Sequence, residues 1–488
     1  MMSETSRQRI LIVVFDALRP EFVTPEVMPN LHSFGSEGVH YVNSRSTFPT
    51  ETRVNQSAVI TGCYPHKHGI VANKFVLDEG GLSCVLNSGN DLELEAAFKQ
   101  LPGRLFEVPT LGERLSQAGR SYATVSAGTP GGGRLINHAA ETNGCFRLTL
   151  NRPEAAAPAG VLSKIVERLG PLPEYTLPAL DWISYAVDCY LDYVERDIDP
   201  DVMLLWLCEP DETCHQLGIG SDDALRAIRH VDSEFGRILA RQEKLIKAGN
   251  LQVIALSDHG QITLSGERLD LVAKLADAGF KAGTQDSPGC TIVVGSAGGI
   301  WVKDSDPALV SELTVWLRSQ DWCGPLFTRD GAGGTLTHDH IALAHRRAPD
   351  IALVLRYTHD DNEWGLPGMT VHDAIYPAGG GCHGGLSPFE LHNFLAMSGS
   401  AFSQAKPMTV PAGNIDITPT VLELLGLGVP DSIDGRVLKE AFRGQGDDSA
   451  EPEARERTYT SDNDTGPVTH LSVTQVGSTR YFNRAWVE

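Results

Sequence analysis

The sequence predicts an α/β protein with a mostly parallel central sheet flanked by helices and a smaller α+β domain inserted into it. Apolar, β-branched runs at residues 10–15, 203–207 and 253–256 have the character of strands buried on both faces of a parallel sheet. Segments with helical patterns lie between these runs. The length of 488 residues suits a large core with a substantial insertion.

The strands and helices follow from local signals. A further apolar run at 394–397 predicts another core strand. Helices are predicted at four segments that are each closed by a glycine, namely 52–61, 109–118, 222–248 and 417–425.

The domain boundaries follow from a change in composition. Residues 262–380 contain Gly-rich stretches and a βα unit at 300–317, and we interpret them as an inserted cap domain. Residues 1–261 and 381–488 then form the catalytic core. Residues 444–457 are predicted as an exposed loop before a terminal β segment at 468–481, and 76–200 are assigned to a wall of the pocket by position alone.

The charge balance limits the kinds of partner. The chain has 62 acidic and 40 basic residues, a net charge of -22, so its field repels nucleic-acid polymers. A small anionic substrate must therefore be attracted by metals and local donors. No apolar run is long enough for a signal-peptide core or a membrane span, and nine scattered cysteines suit a reduced, cytoplasmic protein.

Carboxylate and imidazole groups occur at predicted strand ends and in a Gly-rich turn. On a helix that starts after residue 210, Asp211 and His215 share one face. Asp258 and His259 can both turn inward only at a strand end. Each segment alone has an ordinary structural interpretation, but together they supply enough ligands for two metal sites, three for each site: Asp16, Asp211, His215, Asp258, His259 and His383.

Thr52 is the candidate nucleophile. It opens the predicted helix at 52–61, where free backbone amides and the helix dipole favour an anion. Threonine is a common helix cap without any chemistry. Beside a bound metal ion, however, its hydroxyl loses its proton more readily and becomes a nucleophile.

These motifs resemble the nucleotide pyrophosphatase/phosphodiesterase branch of the alkaline phosphatase superfamily. The resemblance lies in segments 15–20, 48–55, 61–70, 210–215, 257–260 and 383–385, which occur in the family's order. It implies an alkaline phosphatase-like core and a phosphoester hydrolase that works through a phospho-threonine intermediate.

Position by position, the resemblance implies two zinc ions, although manganese or iron would suit the same donors. One zinc would be held by Asp211, His215 and His383. The other would be held by Asp16, Asp258 and His259, with Thr52 bridging to it. Asn73 would contact a phosphoryl oxygen of the substrate.

Substrate preference is left open between several classes. Arg53 stands where nucleotide-cleaving relatives have an aromatic residue, so it either faces the pocket and binds a second anionic group or points to solvent or pairs with Glu51. A phosphodiesterase is our first interpretation. A phosphomonoesterase or a phosphonate hydrolase comes second, because phosphonoacetate hydrolase is similar at residues 383–387, and a non-catalytic metal-stabilised binding protein comes third.

Overall fold

The computed structural model describes residues 7–101, 105–285, 287–444, 451–463 and 466–488. The strands within them are β1 (Arg9–Phe15), β2 (Val39–Tyr41), β3 (Ser44–Arg45), β4 (Lys74–Glu79), β5 (Leu82–Asn87), β6 (Tyr122–Ser126), β7 (Phe146–Thr149), β8 (Val202–Leu207), β9 (Leu251–Ser257), β10 (Ile262–Leu264), β11 (Ala282–Gly283), β12 (Cys290–Val294), β13 (Ala297–Val302), β14 (Cys323–Thr328), β15 (Leu336–Thr337), β16 (Ile351–Leu355), β17 (Tyr357–Asp361), β18 (Pro367–Thr370), β19 (Gly381–Cys382), β20 (Leu395–Ser398), β21 (Lys406–Met408), β22 (Ala412–Gly413), β23 (Ala454–Thr460), β24 (Thr469–Val476) and β25 (Thr479–Val487).

The α-helices are α1 (Pro29–Glu37), α2 (Thr52–Thr61), α3 (Pro65–His68), α4 (Asp91–Gln100), α5 (Leu111–Gln117), α6 (Pro130–Leu135), α7 (Ala140–Asn143), α8 (Val161–Leu169), α9 (Leu180–Asp188), α10 (Asp211–Leu217), α11 (Asp222–Lys247), α12 (Leu271–Asp277), α13 (Pro307–Arg318), α14 (Pro388–Leu391) and α15 (Ile417–Leu424). A π-helical stretch, Cys189–Ile198, continues α9. None of the helices in the described ranges is both long and apolar enough to cross a bilayer.

The central sheet has eight strands in the order β21-β2-β20-β9-β1-β8-β6-β7. Five of its seven pairings are parallel, and β20 forms the two antiparallel ones. Strands β1, β8 and β9 are buried along almost their whole length because helices cover both faces of the sheet. The predicted fold class, a mostly parallel sheet flanked by helices, is confirmed.

The predicted core elements are found with small shifts at their ends. The four apolar runs form β1, β8, β9 and β20, and the four predicted helices form α2, α5, α11 and α15. Helix α2 has the predicted bounds and ends at Gly62, whose φ of 72° is the left-handed conformation that glycine adopts without strain.

Part of the chain without sequence motifs also belongs to the central sheet. Strands β6 and β7 add two parallel strands beside β8. They were not predicted, because their runs are short and mix apolar residues with threonine, serine and arginine.

Two further sheets lie in or beside the predicted insertion. Strands β11 to β16 form a six-stranded sheet with its own apolar core, onto which α12 and α13 pack. Strands β17, β18, β10 and β19 form a four-stranded sheet that includes residues 381–382 of the predicted core. The division into a core and a cap therefore stays a prediction.

The C-terminal region corrects one expectation. Residues 444–457 were predicted as an exposed loop, but residues 454–460 form β23, which pairs with β24 in a three-stranded sheet with β25. The charged side chains of β23 face solvent, and this explains why its composition is that of a loop. Residues 445–450 of the predicted loop lie outside the described part of the chain.

Candidate metal centre

Three neighbouring strands end at the same edge of the central sheet. Phe15, the last residue of β1, is in register with Leu207 of β8 on one side and Ser257 of β9 on the other. The residues that follow these strands therefore meet. Asp16 and Asp258 come directly after β1 and β9, as the sequence predicts.

Asp16, Asp258 and His259 form what we call the first ligand set. Their ligand atoms lie within 4.8 Å of one another, and all three side chains are buried. His259 Nε2 is 3.2 Å from Asp258 Oδ2 and 3.8 Å from Asp16 Oδ1. The other oxygen of Asp16 accepts a hydrogen bond from the indole of Trp206 (2.8 Å), which fixes the orientation of the carboxylate.

Asp211, His215 and His383 form the second ligand set, which also fits within 4.8 Å. Asp211 begins α10 and His215 lies one turn later, so their side chains share a face, with His215 Nε2 3.2 Å from Asp211 Oδ1. His383 comes from the Gly-rich loop after β19, and its Nε2 is 3.6 Å from the same oxygen.

The two sets adjoin each other. The rings of His259 and His383 stack with their centroids 3.9 Å apart. Six potential ligands from four chain segments therefore face one small region, and the distances divide them into the same two groups of three that the resemblance implies.

The hydrogen bonds of the three imidazoles suit metal binding. In each ring Nδ1 lies near a backbone carbonyl: Gly381 for His215 (2.6 Å), Gly260 for His259 (2.9 Å) and Thr50 for His383 (2.8 Å). Such contacts fix the tautomer that leaves the Nε2 lone pair free, as in most protein metal sites.

The carboxylates give a second test of the fit. Asp16 Oδ1 and Asp258 Oδ2 are buried and have no hydrogen-bond partner in the described part of the chain. A buried anionic oxygen without a partner is costly unless a cation meets it. The residues present therefore suit a divalent metal such as zinc, because they supply nitrogen and oxygen donors.

The electrostatics of the cluster lead to the same conclusion. Burial, and next the charge of Asp258, raises the pKa of Asp16 well above its usual range, and burial also raises the pKa of Asp258. Burial and the nearby His259 hold the pKa of His383 well below its usual value. Burial opposes ionisation of Asp211 too, but His215 and His383 outweigh it and lower its pKa. Bound cations would relieve this crowding.

Thr52 lies at the first ligand set. It is the first residue of α2, and its Oγ1 is 3.2 Å from His259 Nε2. The hydroxyl therefore lies where it could attack a substrate bound at the metal centre.

Asn73 and Arg53 lie beside this helix start. The side-chain oxygen of Asn73 accepts a hydrogen bond from the backbone amide of Arg53 (3.0 Å), so its amide group is directed elsewhere and is available to a ligand. The Glu51 carboxylate accepts a hydrogen bond from the backbone of Asn73 and forms no ion pair with Arg53 among the described residues. Burial raises the pKa of Glu51 to about 7.

The guanidinium of Arg53 is half-buried beside Gly89, and its Nε is buried without a hydrogen-bond partner in the described ranges. Burial raises the pKa values of Asp16, Glu212 and Tyr376, and the charge of Arg53 partly opposes the rise in each, so the guanidinium lies on the side of α2 that faces these groups. Of the alternatives left open for Arg53, an ion pair with Glu51 is not found in the described part of the chain.

A buried chain of amides joins α2 to the end of β9. Asn414 Nδ2 donates to Asn55 Oδ1 (2.9 Å) and to the carbonyl of Asp258 (2.5 Å). Asn393 Nδ2 donates to Asn414 Oδ1 (2.8 Å). Because Asn55 lies one turn after Thr52, these bonds set the distance between the candidate nucleophile and the first ligand set.

Sequence reasoning missed three side chains that contact the ligands. Trp206 and Gln261 hold the carboxylates of Asp16 and Asp211, the latter through a bond of 2.6 Å to Gln261 Nε2. The sequence offers a weak indication of both, because each carries a polar group close to a ligand motif: Gln261 follows the motif at 257–260, and Trp206 precedes the motif at 210–215. Tyr376 stacks on the ring of His215, and no signal in the sequence indicates this.

Comparison with known proteins places these features in a family. The family model described as type I phosphodiesterase / nucleotide pyrophosphatase matches residues 10–312, which is more than half of the chain. This segment includes Thr52 and five of the six potential ligands, all except His383.

Curated relatives match about half of this chain. Venom phosphodiesterase CdcPDE of Crotalus durissus collilineatus is 26% identical over 259 residues, which cover 51% of this chain and 26% of that protein. Human ectonucleotide pyrophosphatase/phosphodiesterase family member 1 is 24% identical over 255 residues, covering 51% of this chain and 23% of that protein. The chain thus matches about a quarter of the length of these relatives.

A shorter and a structural match complete the comparison. The Xenopus laevis bis(5'-adenosyl)-triphosphatase is 36% identical over 72 residues, 15% of this chain and 16% of that protein. The murine ectonucleotide pyrophosphatase/phosphodiesterase 5, solved as an inactive variant with AMP, has a TM-score of 0.58 at 17% identity, covering 89% of this chain and 100% of that one. The chain has the alkaline phosphatase-like fold and belongs to the type I phosphodiesterase / nucleotide pyrophosphatase family.

Proposed function

We propose that the protein is a metal-dependent phosphoester hydrolase, in the first place a phosphodiesterase, in which Thr52 attacks phosphorus. The observation that carries this proposal is the position of Thr52 Oγ1, 3.2 Å from His259 Nε2 and at a helix start that faces two complete ligand sets. A binding protein stabilised by metals would need no hydroxyl at this point.

Two metal ions, proposed to be zinc, would be held by the first and second ligand sets. When bound, they would act as Lewis acids that lower the pKa of a coordinated hydroxyl or water and neutralise phosphoryl oxygens. Manganese or iron would suit the same nitrogen and oxygen donors.

The chain itself supplies the nucleophile. The oxygen of Thr52 forms a bond to phosphorus while the bond from phosphorus to the leaving oxygen breaks, and the departing alcohol takes up a proton. The proton that the alcohol takes up is that of the Thr52 hydroxyl. Water then attacks phosphorus, the bond from phosphorus to the oxygen of Thr52 breaks, one proton of the water passes to Thr52, and the phosphate monoester is released.

Other groups at the helix start hold the phosphoryl group. The side-chain amide of Asn73, whose oxygen is already bonded to the backbone amide of Arg53, donates a hydrogen bond to the phosphoryl oxygens, where negative charge grows during the reaction. Burial of the cluster strengthens these bonds, because competing water is excluded.

Arg53 is proposed to contact the substrate as well. Its charge faces the ligand side of the helix, and its buried Nε has no partner in the described chain. A guanidinium in such a position favours a substrate with a second anionic group, such as a carboxylate or another phosphate.

The experiment that tests the function combines metal analysis with a substrate panel. We expect close to two metal ions per chain and faster turnover of bis-p-nitrophenyl phosphate than of p-nitrophenyl phosphate. Phosphonoacetate is included because a phosphonate hydrolase is the runner-up, and p-nitrophenyl thymidine 5'-phosphate because relatives include a bis(5'-adenosyl)-triphosphatase and a structure with AMP.

Each outcome of the substrate panel assigns the protein to one functional class. Preference for the monoester or for phosphonoacetate would replace the phosphodiesterase assignment. Two bound metals without turnover of any of the four compounds would favour a non-catalytic binding protein.

A further inference from the structure

Glu51 places a carboxylate directly beside the candidate nucleophile. The residue is the N-cap of α2, but its side chain does not cap the helix. The carboxylate instead accepts a hydrogen bond from the backbone N–H of Asn73, which is its only hydrogen bond in the described ranges. A carboxylate beside a site for a phosphoryl group repels the substrate, so a compensating contribution from this contact is needed.

Every polar group of Asn73 except the side-chain NH2 has a partner. Its N–H donates to Glu51, and its carbonyl accepts from the backbone N–H and the hydroxyl of Ser88 at 3.0 and 2.7 Å. Its Oδ1 accepts from the backbone N–H of Arg53 at 3.0 Å. Nδ2 has no hydrogen-bond partner among the residues that the structure describes. These contacts leave one group of Asn73, the Nδ2 amide, to meet a substrate oxygen.

The contacts with Glu51 and Arg53 come from the residues on either side of Thr52. Asn73 lies just before β4, 22 positions after Glu51, so the covalent chain does not fix its distance from the nucleophile. Two hydrogen bonds from residues that flank Thr52 close a ring that does fix this distance. The Arg53 N–H orients the side chain of Asn73, and the Glu51 carboxylate holds its backbone.

We propose that Glu51 is a positioning residue, whose carboxylate holds the backbone of Asn73 so that the side-chain amide donates to a phosphoryl oxygen while Thr52 attacks. This inference rests on the proposed function. Glu51 itself touches neither the substrate nor a metal ion. The hydrogen bond from Asn73 strengthens as negative charge grows on the phosphoryl oxygen, so the contribution of Glu51 should appear in kcat rather than in KM.

A competing explanation is that Glu51 acts by its charge alone. Burial raises the pKa of Glu51, and the charges of Arg53 and Lys74 are near enough to oppose this rise, so the carboxylate could simply balance them. Both explanations predict a loss of activity in Glu51→Ala. They differ for Glu51→Gln, which removes the charge but keeps an oxygen that accepts a hydrogen bond.

Three variants measured with bis-p-nitrophenyl phosphate separate these explanations. Asn73→Ala should lower kcat about 100-fold, because a donor to the phosphoryl oxygen is lost. Glu51→Ala should lower kcat about 30-fold and leave KM within about three-fold of the wild-type value, because that donor is displaced. Glu51→Gln should recover most of the wild-type kcat. All three variants should bind as much metal as the wild type.

A double-mutant cycle shows whether Glu51 acts through Asn73. In the variant that combines Glu51→Ala with Asn73→Ala, kcat should match that of Asn73→Ala within about three-fold, because the amide that Glu51 positions is already absent. Independent contributions would instead multiply to a loss of about 3000-fold.

Glu113→Ala is the matched control. The Glu113 carboxylate also accepts a hydrogen bond from a backbone N–H, that of Thr110 at 2.8 Å, but it does so at the start of α5 and has no part in the proposed site. This variant should lose some stability with its capping box and keep the wild-type kcat.

The failures can be told apart. Equal losses in Glu51→Gln and Glu51→Ala, a multiplicative loss in the double variant, or a wild-type kcat in Glu51→Ala or Asn73→Ala would overturn the positioning role while the proposed function stands. Loss of metal from Glu51→Ala would do the same. Absence of turnover by the metal-loaded wild type would overturn the proposed function and the role of Glu51 with it.

Discussion

The buried histidines of the metal centre and the buried His338 have different surroundings. In the metal centre each of the three imidazoles has Nδ1 at a backbone carbonyl and directs Nε2 toward carboxylates. His338, which follows β15 in the six-stranded sheet, is 1% exposed, and neither of its ring nitrogens has a hydrogen-bond partner of good geometry among the described residues.

The difference distinguishes imidazoles that are positioned to bind a metal ion from an imidazole that is only buried. A free Nε2 beside carboxylates can donate its lone pair to a metal ion, and the hydrogen bond at Nδ1 fixes the direction of that lone pair. His338 has no such neighbours. Changes in the metal centre should therefore affect function at little cost in stability, whereas changes at His338 should affect stability alone.

The largest effect is expected for Thr52→Ala. Turnover should fall by roughly four orders of magnitude or more, because the attacking oxygen is lost. Metal content and the unfolding midpoint should stay close to those of the wild type, since Thr52 is the first helical residue after the N-cap Glu51 and no side chain caps this helix. Thr52→Ser, which retains a hydroxyl, is the control and should keep measurable activity. A substantial rate in Thr52→Ala would mean that water attacks phosphorus directly.

The second effect concerns Arg53. Removing one partner of a desolvated charge pair typically costs about 2–5 kcal/mol. Arg53→Phe should lower kcat/KM strongly for a substrate with a second anionic group and should spare bis-p-nitrophenyl phosphate. It could also improve cleavage of a nucleotide ester, because a ring offers a stacking surface. An equal loss on all substrates would show that Arg53 supports the nucleophile or the fold.

The third effect separates the two ligand sets. Loss of a group that hydrogen-bonds to a metal ligand commonly costs about 10- to 100-fold in metal affinity. Loss of the ligand His383 itself should therefore weaken metal binding at the second ligand set by more than about 100-fold. His383→Ala should therefore bind one metal ion firmly and lose the other during dialysis. Metal analysis of wild type and variant in parallel checks this result. Retention of two ions, or loss of both, would contradict independent sets.

The smallest effect is the pH dependence of stability at His338. Burial, and next the charge of Arg329, lowers its pKa to about 3, despite a weak contact with the backbone of Phe327. An unfolded histidine titrates near 6.5, so the unfolded chain takes up this proton first as the pH falls. The stability is complete above about pH 6.5 and declines toward pH 3, by about 2 kcal/mol at pH 5.

Urea unfolding at pH 7.5 and pH 5 measures this difference. His338→Leu should lose less stability between the two pH values than the wild type does. His359→Leu, a change at an exposed histidine, should behave like the wild type, and the activity of both variants at pH 7.5 should be unchanged. Equal pH dependence in His338→Leu and wild type would place the titrating group elsewhere.

Much of the fold and of the candidate site could be predicted because the signals are local. The run at 10–15 is uniformly apolar and ends at Asp16, and the helix with Thr52 has a clear glycine stop. The sequence also indicates which residues could meet, since parallel strands such as β1 and β9 end at the same edge.

Other features depend on contacts that no local pattern encodes. Tyr376 reaches His215 across 161 positions of the sequence, and β23 is ordered by pairing with β24 although its own residues are charged and exposed. The orientation of Arg53 depends on which donor the Glu51 carboxylate contacts, and this is set by the fold around Asn73.

The amide chain through Asn414 has a consequence for synthesis of the protein. Asn55 and Asn414 are 359 positions apart, and Asn414 also binds the carbonyl of Asp258. As the chain leaves the ribosome, the nucleophile helix and the ends of β1 and β9 emerge long before the residue that joins them. A nascent chain that stops between residues 259 and 383 contains Thr52 and five of the six ligands. One that stops between residues 383 and 414 contains all six. Both lack the hydrogen bond of Asn414 that sets the spacing of these groups. Activity should therefore begin late and abruptly in a series of arrested chains of increasing length.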